Sequence, residues 1–215
     1  TTKSVTGGIV KNLFSDSYFI KEYGDFKTTL RSVNCGFDML KTILSTEGIQ
    51  MDNIAIKELL VKSYSEIDVE DHPKILAIMA TEGKEQWVQN ILGNKITLET
   101  FIMSDNYYLT MIDLWIISDR LKIPVIFIGN AVKKINKKLA FAIEPKKTAY
   151  YFIRLFSPKQ NTIPRYQLVE TAETILKIPY SATSLPNVYI EIERLIKLKR
   201  GKDVTIDHYI TTFIA

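Results

Sequence analysis

The chain holds one thiol, and its setting is the first place to look for chemistry. Ser32-Val33-Asn34-Cys35-Gly36-Phe37 puts Cys35 at the start of a segment whose apolar residues, Phe37, Leu40, Ile43 and Leu44, recur at helical spacing. A thiol in the first turn of a helix faces backbone N–H groups that have no intrahelical partner, and the positive end of the helix dipole. Both lower its pKa and both stabilise an oxyanion. The same position also suits a small buried hydrophobe, a common fate of a free cysteine. A nucleophile needs a base, and the chain has two imidazoles, His72 and His208. His72 lies between Asp71 and Pro73 and reads as a surface or first-turn residue. His208 precedes Tyr209 on a helical pattern near the C-terminus. It is either a candidate base or a polar-face or interface histidine.

Asn34-Cys35 followed by an aromatic at Phe37 resembles the Asp-Gly-Asn-Cys-Leu-Phe nucleophile motif of the ovarian-tumour (OTU) cysteine proteases, which are mostly deubiquitinases. The order of elements downstream is similar as well. In that family several helices precede a buried helix that leads into a short strand, here Tyr108–Leu121 into Ile123–Ile128. Two more strands follow, then a last strand opening with His-Tyr. The resemblance spans Asn34 to Glu170 and lies in the order of elements more than in identities. It implies an α+β fold of the OTU/papain-like cysteine protease kind, with helices packed on a small, mostly antiparallel sheet. It also implies ubiquitin or a ubiquitin-like protein as partner.

The sequence departs from the family pattern where the chemistry sits. Ser32 stands in place of the family's Asp and Val33 in place of its Gly. The strand expected to open with His-Tyr reads Pro164-Arg165-Tyr166-Gln167-Leu168-Val169, which puts Arg165 in place of the catalytic His. A guanidinium stays protonated at neutral pH and cannot take the thiol proton. As a neighbouring charge it would still lower the Cys35 pKa. His208 is preceded by Asp207 and followed two positions on by Ile210 rather than Asn or Asp. The favoured reading is a catalytically degenerate OTU-like domain, acting as a binding or structural module of a larger intracellular protein. The alternative is an active OTU-type deubiquitinase, with Cys35 as nucleophile beside Asn34 and His208 as base.

The elements that must position these residues can be read from periodicity and punctuation. A helix is predicted over Asn34–Thr46, and a second over Asn53–Ser63, capped by Asp52 or Asn53. Asp71 is predicted to cap a helix reaching Met79, with Pro73 in its first turn. Glu82–Leu92 reads as a helix closed by Gly93. Asp105–Leu121 reads as the most deeply buried helix, with Tyr108, Met111, Ile112, Trp115 and Ile116 on a wide apolar face. Strands are predicted at Ile123–Ile128, Leu139–Ile143, Tyr150–Phe156 and Tyr166–Val169. Glu144-Pro145-Lys146-Lys147 is the expected turn between the second and third. Helices followed by a hairpin-rich sheet make an α+β pattern. Residues 1–8 read as a frayed lead-in, 9–171 as the OTU-like domain and 172–215 as a helical extension.

Composition sets the remaining bounds. The 215 residues are 46% hydrophobic and 24% charged, with 28 Lys+Arg against 24 Asp+Glu and a formal charge of +4. These are values of a globular chain with a sizeable core. One Cys and two His leave no disulfide framework and no CxxC or His-rich metal site, so no cofactor or metal is expected. No apolar run reaches the roughly 18 residues of a membrane span, and no basic-then-apolar leader opens the chain. A single unpaired Cys and a start without Met fit a piece of, or a processed form of, an intracellular protein. Heavy use of Ile and Lys with 9 Gly fits an AT-rich genome, and a large DNA virus is the expected source. Lys133, Lys134, Lys137, Lys138, Lys146 and Lys147 flank the expected turn and read as a solvated sheet edge. Nucleic acid is therefore not expected as a partner.

Overall fold

The structure is a computed structural model, and it describes residues 33–67, 72–128, 140–142, 149–156, 165–168 and 177–179. Helices come first: α1 Cys35–Thr46, α2 Asn53–Ser65, α3 His72–Met79, α4 Glu85–Leu92, α5 Leu98–Met103 and α6 Met111–Arg120. Strands follow: β1 Val125–Ile128, β2 Ala140–Ala142, β3 Ala149–Phe156, β4 Arg165–Leu168 and β5 Ile178–Pro179. The chain divides into two compact units. One comprises residues 29–121 with 157–165, and the other residues 1–28, 122–156 and 166–215.

In the helical unit the helices differ in how much they bury. α1 buries Cys35, Phe37, Met39, Leu40, Ile43 and Leu44, the stripe its spacing predicts. It ends where Gly48, at φ +76°, turns the backbone into the left-handed region. The Gly48 N–H then bonds the Ser45 carbonyl and the Ile49 N–H bonds the Leu44 carbonyl at 2.8 Å. These two bonds satisfy carbonyls the helix leaves open. α2 is capped by Asp52, whose Oδ1 accepts the Ala55 N–H at 2.8 Å. α2 packs against α5 and α6. α6 is buried along nearly its whole length, from Met111 to Ser118.

α3 and α4 are two helices where one straight helix would fail. Ile75, Ile78 and Met79 share the buried face of α3. At about 100° per residue, a straight continuation would put Lys84 and Val88 on roughly the opposite side. Both residues are nevertheless buried. The segment Ala80–Lys84 resolves the conflict by breaking helical geometry at Glu82 and Gly83, the latter at φ +94°. Glycine takes that angle without a Cβ penalty, and the kink turns both apolar faces inward.

Several expectations need correction. The helix predicted from Asp105 begins at Met111, because Thr110 caps it through Asp113. Tyr108 fits the helical period of the residues after it, but lies outside the helix. The helix predicted from Glu82 begins at Glu85, beyond the kink. Gly93 does close α4, but with φ −80°, and the left-handed residue is Asn94 at φ +56°. The Lys95 N–H then bonds the Asn90 carbonyl at 2.9 Å. α5, held by the Thr97 cap on the Thr100 N–H, is a six-residue helix that periodicity does not reveal.

The sheet has the order β2-β1-β3-β4, with β5 pairing β3. β1 pairs antiparallel with β2, Ile126 opposite Ala142, and parallel with β3, Ile126 opposite Phe152. The second and third predicted strands are therefore not neighbours, since β1 lies between them. Tyr150, Tyr151, Phe152 and Ile153 are all buried, so β3 is covered on both faces. The turn expected at 144–147, the lysine group, residues 1–32 and the extension expected at 172–215, apart from 177–179, lie outside the described residues.

Two substitutions probe the helix ends. A Cβ at Gly48 would meet nothing within 4 Å, so Gly48→Ala should cost about 1–2 kcal/mol through its left-handed backbone alone. Lys122 holds φ +57° after α6. Lys122→Gly should therefore shift the urea midpoint upward, by about 0.5–1 kcal/mol of stability.

Candidate functional site

Cys35 is the first residue of α1, directly after Asn34 at the N-cap position. Cys35 is 4% exposed. Cys35, Met39 and Ile43 follow one another at four-residue spacing and are all buried, so Cys35 lies on the inward side of the helix. Asn34 is exposed and its side chain makes no capping bond, while its carbonyl accepts the Asp38 N–H at 2.8 Å. The first backbone N–H groups of α1 are thus not capped by Asn34. Asp38 adds a carboxylate in the same first turn, paired at 3.2 Å with Lys41 in an exposed ion pair.

Phe37 is buried, and the Lys57 ammonium of α2 lies 5.6 Å from its ring centre. Lys57 Nζ also donates to the Ser104 carbonyl at 2.8 Å, tying α2 to the end of α5. His72 is the first residue of α3 and is exposed. Arg165 opens β4 and falls in the same compact unit as Cys35. His208 lies outside the described residues. Of the candidate residues, the structure places Asn34 and Cys35 side by side at one helix start.

A second constellation escapes sequence reading. Asp113, in the first turn of α6, is fully buried. Its Oδ1 accepts the Tyr64 hydroxyl of α2 at 2.5 Å. Its Oδ2 accepts the Tyr107 hydroxyl at 2.8 Å and both the Thr110 N–H and the Thr110 hydroxyl at 2.9 Å. The last two bonds close the start of α6 in the manner of a capping box, and the helix dipole favours the negative charge there.

Lys84, also fully buried, approaches the same Oδ2 at 3.4 Å. That is long for a charge-assisted bond, which typically spans about 2.7–2.9 Å. The ammonium finds its other partners in ring faces: Tyr107 at 3.6 Å, Tyr108 at 5.0 Å and Phe101 at 5.5 Å from the ring centres. Phe101 is held in turn by Trp87, stacked at 4.5 Å, and by the edge of Tyr107 at 4.9 Å. Burial pulls the Lys84 ammonium below the usual lysine range, and the charges of Asp113 and Glu82 hold it partly back. Burial, followed by the Asp113 charge, pushes the Tyr64 hydroxyl well above the tyrosine range. Tyr108, half-buried, is pushed up to about 12 by burial and then by Glu82 and Asp113.

Thr110-x-x-Asp113 before an apolar run was the readable signal for this cluster. Tyr64 and Lys84 carry no comparable mark, since their partner lies 49 and 29 positions away. Among the described residues no group of three or more His, Cys, Asp or Glu is placed to hold a metal ion. No helix among them is long and apolar enough to cross a membrane. No family model matches the chain, and no curated protein matches its sequence.

Asp113 keeps four donors without Lys84, whereas Lys84 without Asp113 is a buried cation that has lost its carboxylate partner at 3.4 Å. Asp113→Ala should therefore destabilise the protein by about 3–5 kcal/mol, and Lys84→Met by about 1–3 kcal/mol. Chemical denaturation of both variants gives the order.

Alkaline titration gives an independent check. Tyr64 and Tyr108 are raised in the folded state, so their contribution to stability is intact below pH 10 and is lost as pH rises above it, for Tyr108 as pH passes about 12 and for Tyr64 as pH passes its own raised folded value. Lys84 is lowered, so its contribution runs the opposite way, rising with pH between its folded value and the ordinary lysine value. Phenolate absorbance should show part of the 11 tyrosines ionising near pH 10 and a later step that coincides with unfolding. In denaturant the later step should vanish.

Proposed function

We propose that the chain is a catalytically silent OTU-like module that serves as a binding or structural unit of a larger intracellular protein. The observation that carries this reading is the burial of Cys35 within the apolar stripe of α1. A nucleophile has to reach a carbonyl carbon, and a buried cysteine on the inward side of a helix is shielded from one. The sequence points the same way, with Arg165 at the place where the resembled family carries its catalytic His. A missing general base costs about 10²–10⁴-fold in rate. Ubiquitin or a ubiquitin-like protein is the partner this reading implies, together with other domains of the parent. A viral source belongs to the same proposal and rests on composition alone.

One observation favours the second reading, an active thiol hydrolase with His208 as base. Cys35 is the first residue of its helix, and Asn34 leaves the adjacent backbone N–H groups uncapped by its side chain. Those groups are the donors an oxyanion would use.

Turnover of a fluorogenic ubiquitin substrate separates the two, alongside a ubiquitin probe with a C-terminal electrophile. The silent module should give no turnover above Cys35→Ala, and no labelling of Cys35 in the native protein. Turnover abolished by both Cys35→Ala and His208→Ala would establish the hydrolase. Turnover that survives Cys35→Ala would rule out both, since the chain has no other thiol.

A further inference from the structure

The surroundings of Lys84 make up a complete recognition chemistry for an organic cation. Three ring faces, Tyr107, Tyr108 and Phe101, look onto one ammonium from 3.6, 5.0 and 5.5 Å, and a carboxylate oxygen of Asp113 stands 3.4 Å away. Ring faces attract a cation within about 6 Å, and such cages are how proteins take alkylated ammonium groups. The walls are braced independently of the occupant. Trp87 stacks on Phe101, Thr110 holds Asp113, and Tyr64 holds its other oxygen. We propose that Phe101, Tyr107, Tyr108 and Asp113 form an alkylammonium-binding cage whose resident ligand is the chain's own Lys84.

Two features fit a resident rather than a plain core residue. Lys84 sits at the N-cap position of α4, where the helix dipole disfavours a positive charge. What holds it there must be the cage. The residue before it, Gly83, carries the left-handed backbone at φ +94° that turns the chain inward at this point. Tyr108 is the half-buried wall and so the side that meets solvent. A tethered occupant competes at an effective concentration of about millimolar or more. The cage should therefore take an external cation readily only when Lys84 is shortened.

The test uses the full chain with methylammonium and tetramethylammonium as probes, against sodium chloride at equal ionic strength. Lys84→Ala should show a saturable rise in Tm with millimolar methylammonium that sodium does not reproduce. Adding Asp113→Asn to Lys84→Ala should weaken that response about tenfold or more. If Lys84→Ala does not fold alone, recovery of its circular dichroism on adding methylammonium counts the same way. A Lys84→Ala protein that is folded and indifferent to both cations, or unfolded and not recovered by either, overturns the proposal. The wild-type chain gives a second reading, from the rate at which an amine-reactive ester acylates Lys84. An unchanged rate in tetramethylammonium relative to sodium is the result expected of a tethered resident, and marked acceleration overturns the tethering.

Discussion

Asp113 and Lys84 are both fully buried, and a charge taken out of water must find its partners inside the protein. The partners found here define the helical unit. Tyr64 brings in α2, Tyr107 and Thr110 bring in the segment before α6, and Lys84 brings in the start of α4. The carboxylate works by number of donors, with three hydrogen bonds from hydroxyls and a fourth from a backbone N–H. The ammonium works by surrounding ring faces, because its oxygen partner is distant. A partly satisfied network of this kind would be worse than an apolar core. The arrangement therefore requires α2, α4, α6 and the intervening kink to form together.

The kink between α3 and α4 follows from the same constraint. The inward stripe changes sides of the helix between Met79 and Lys84, so an unbroken helix would leave one of the two stripes in water. Breaking the backbone at Glu82 and Gly83 exchanges a short stretch of helical hydrogen bonding for burial of both stripes. Burial of a large apolar side chain is worth about 1.5–3 kcal/mol, and more than one such side chain is at stake. A single glycine with positive φ is the cheaper solution.

The Cys35 region meets competing demands. Its place at the start of α1 is where a thiol would be activated, and its place within the buried stripe is where a thiol is shielded from substrate. Packing decides between these, because reactivity depends on access as well as on thiolate character. The silence proposed for the module rests on that balance.

What the amino-acid sequence determined is local. The spacing of Phe37, Leu40, Ile43 and Leu44 specifies α1 and its buried face. Asp52 marks the start of α2, and the β-branched and aromatic runs at 125–128 and 149–156 specify β1 and β3. Each depends on neighbours within one turn or one strand, so each can be read directly. Tertiary structure decided what depends on distant partners. Strand order could not be read from the run of strands, because β3 pairs parallel to β1 across from β2 rather than folding back on the strand before it. The start of α6 was legible only through Thr110 and Asp113, since Tyr108 keeps the helical period without joining the helix. Lys84 is the clearest case. In sequence it is one lysine in a polar stretch. Its burial exists only because Phe101, Tyr107, Tyr108 and Asp113, remote in the chain, meet around it and replace the water its charge would otherwise keep.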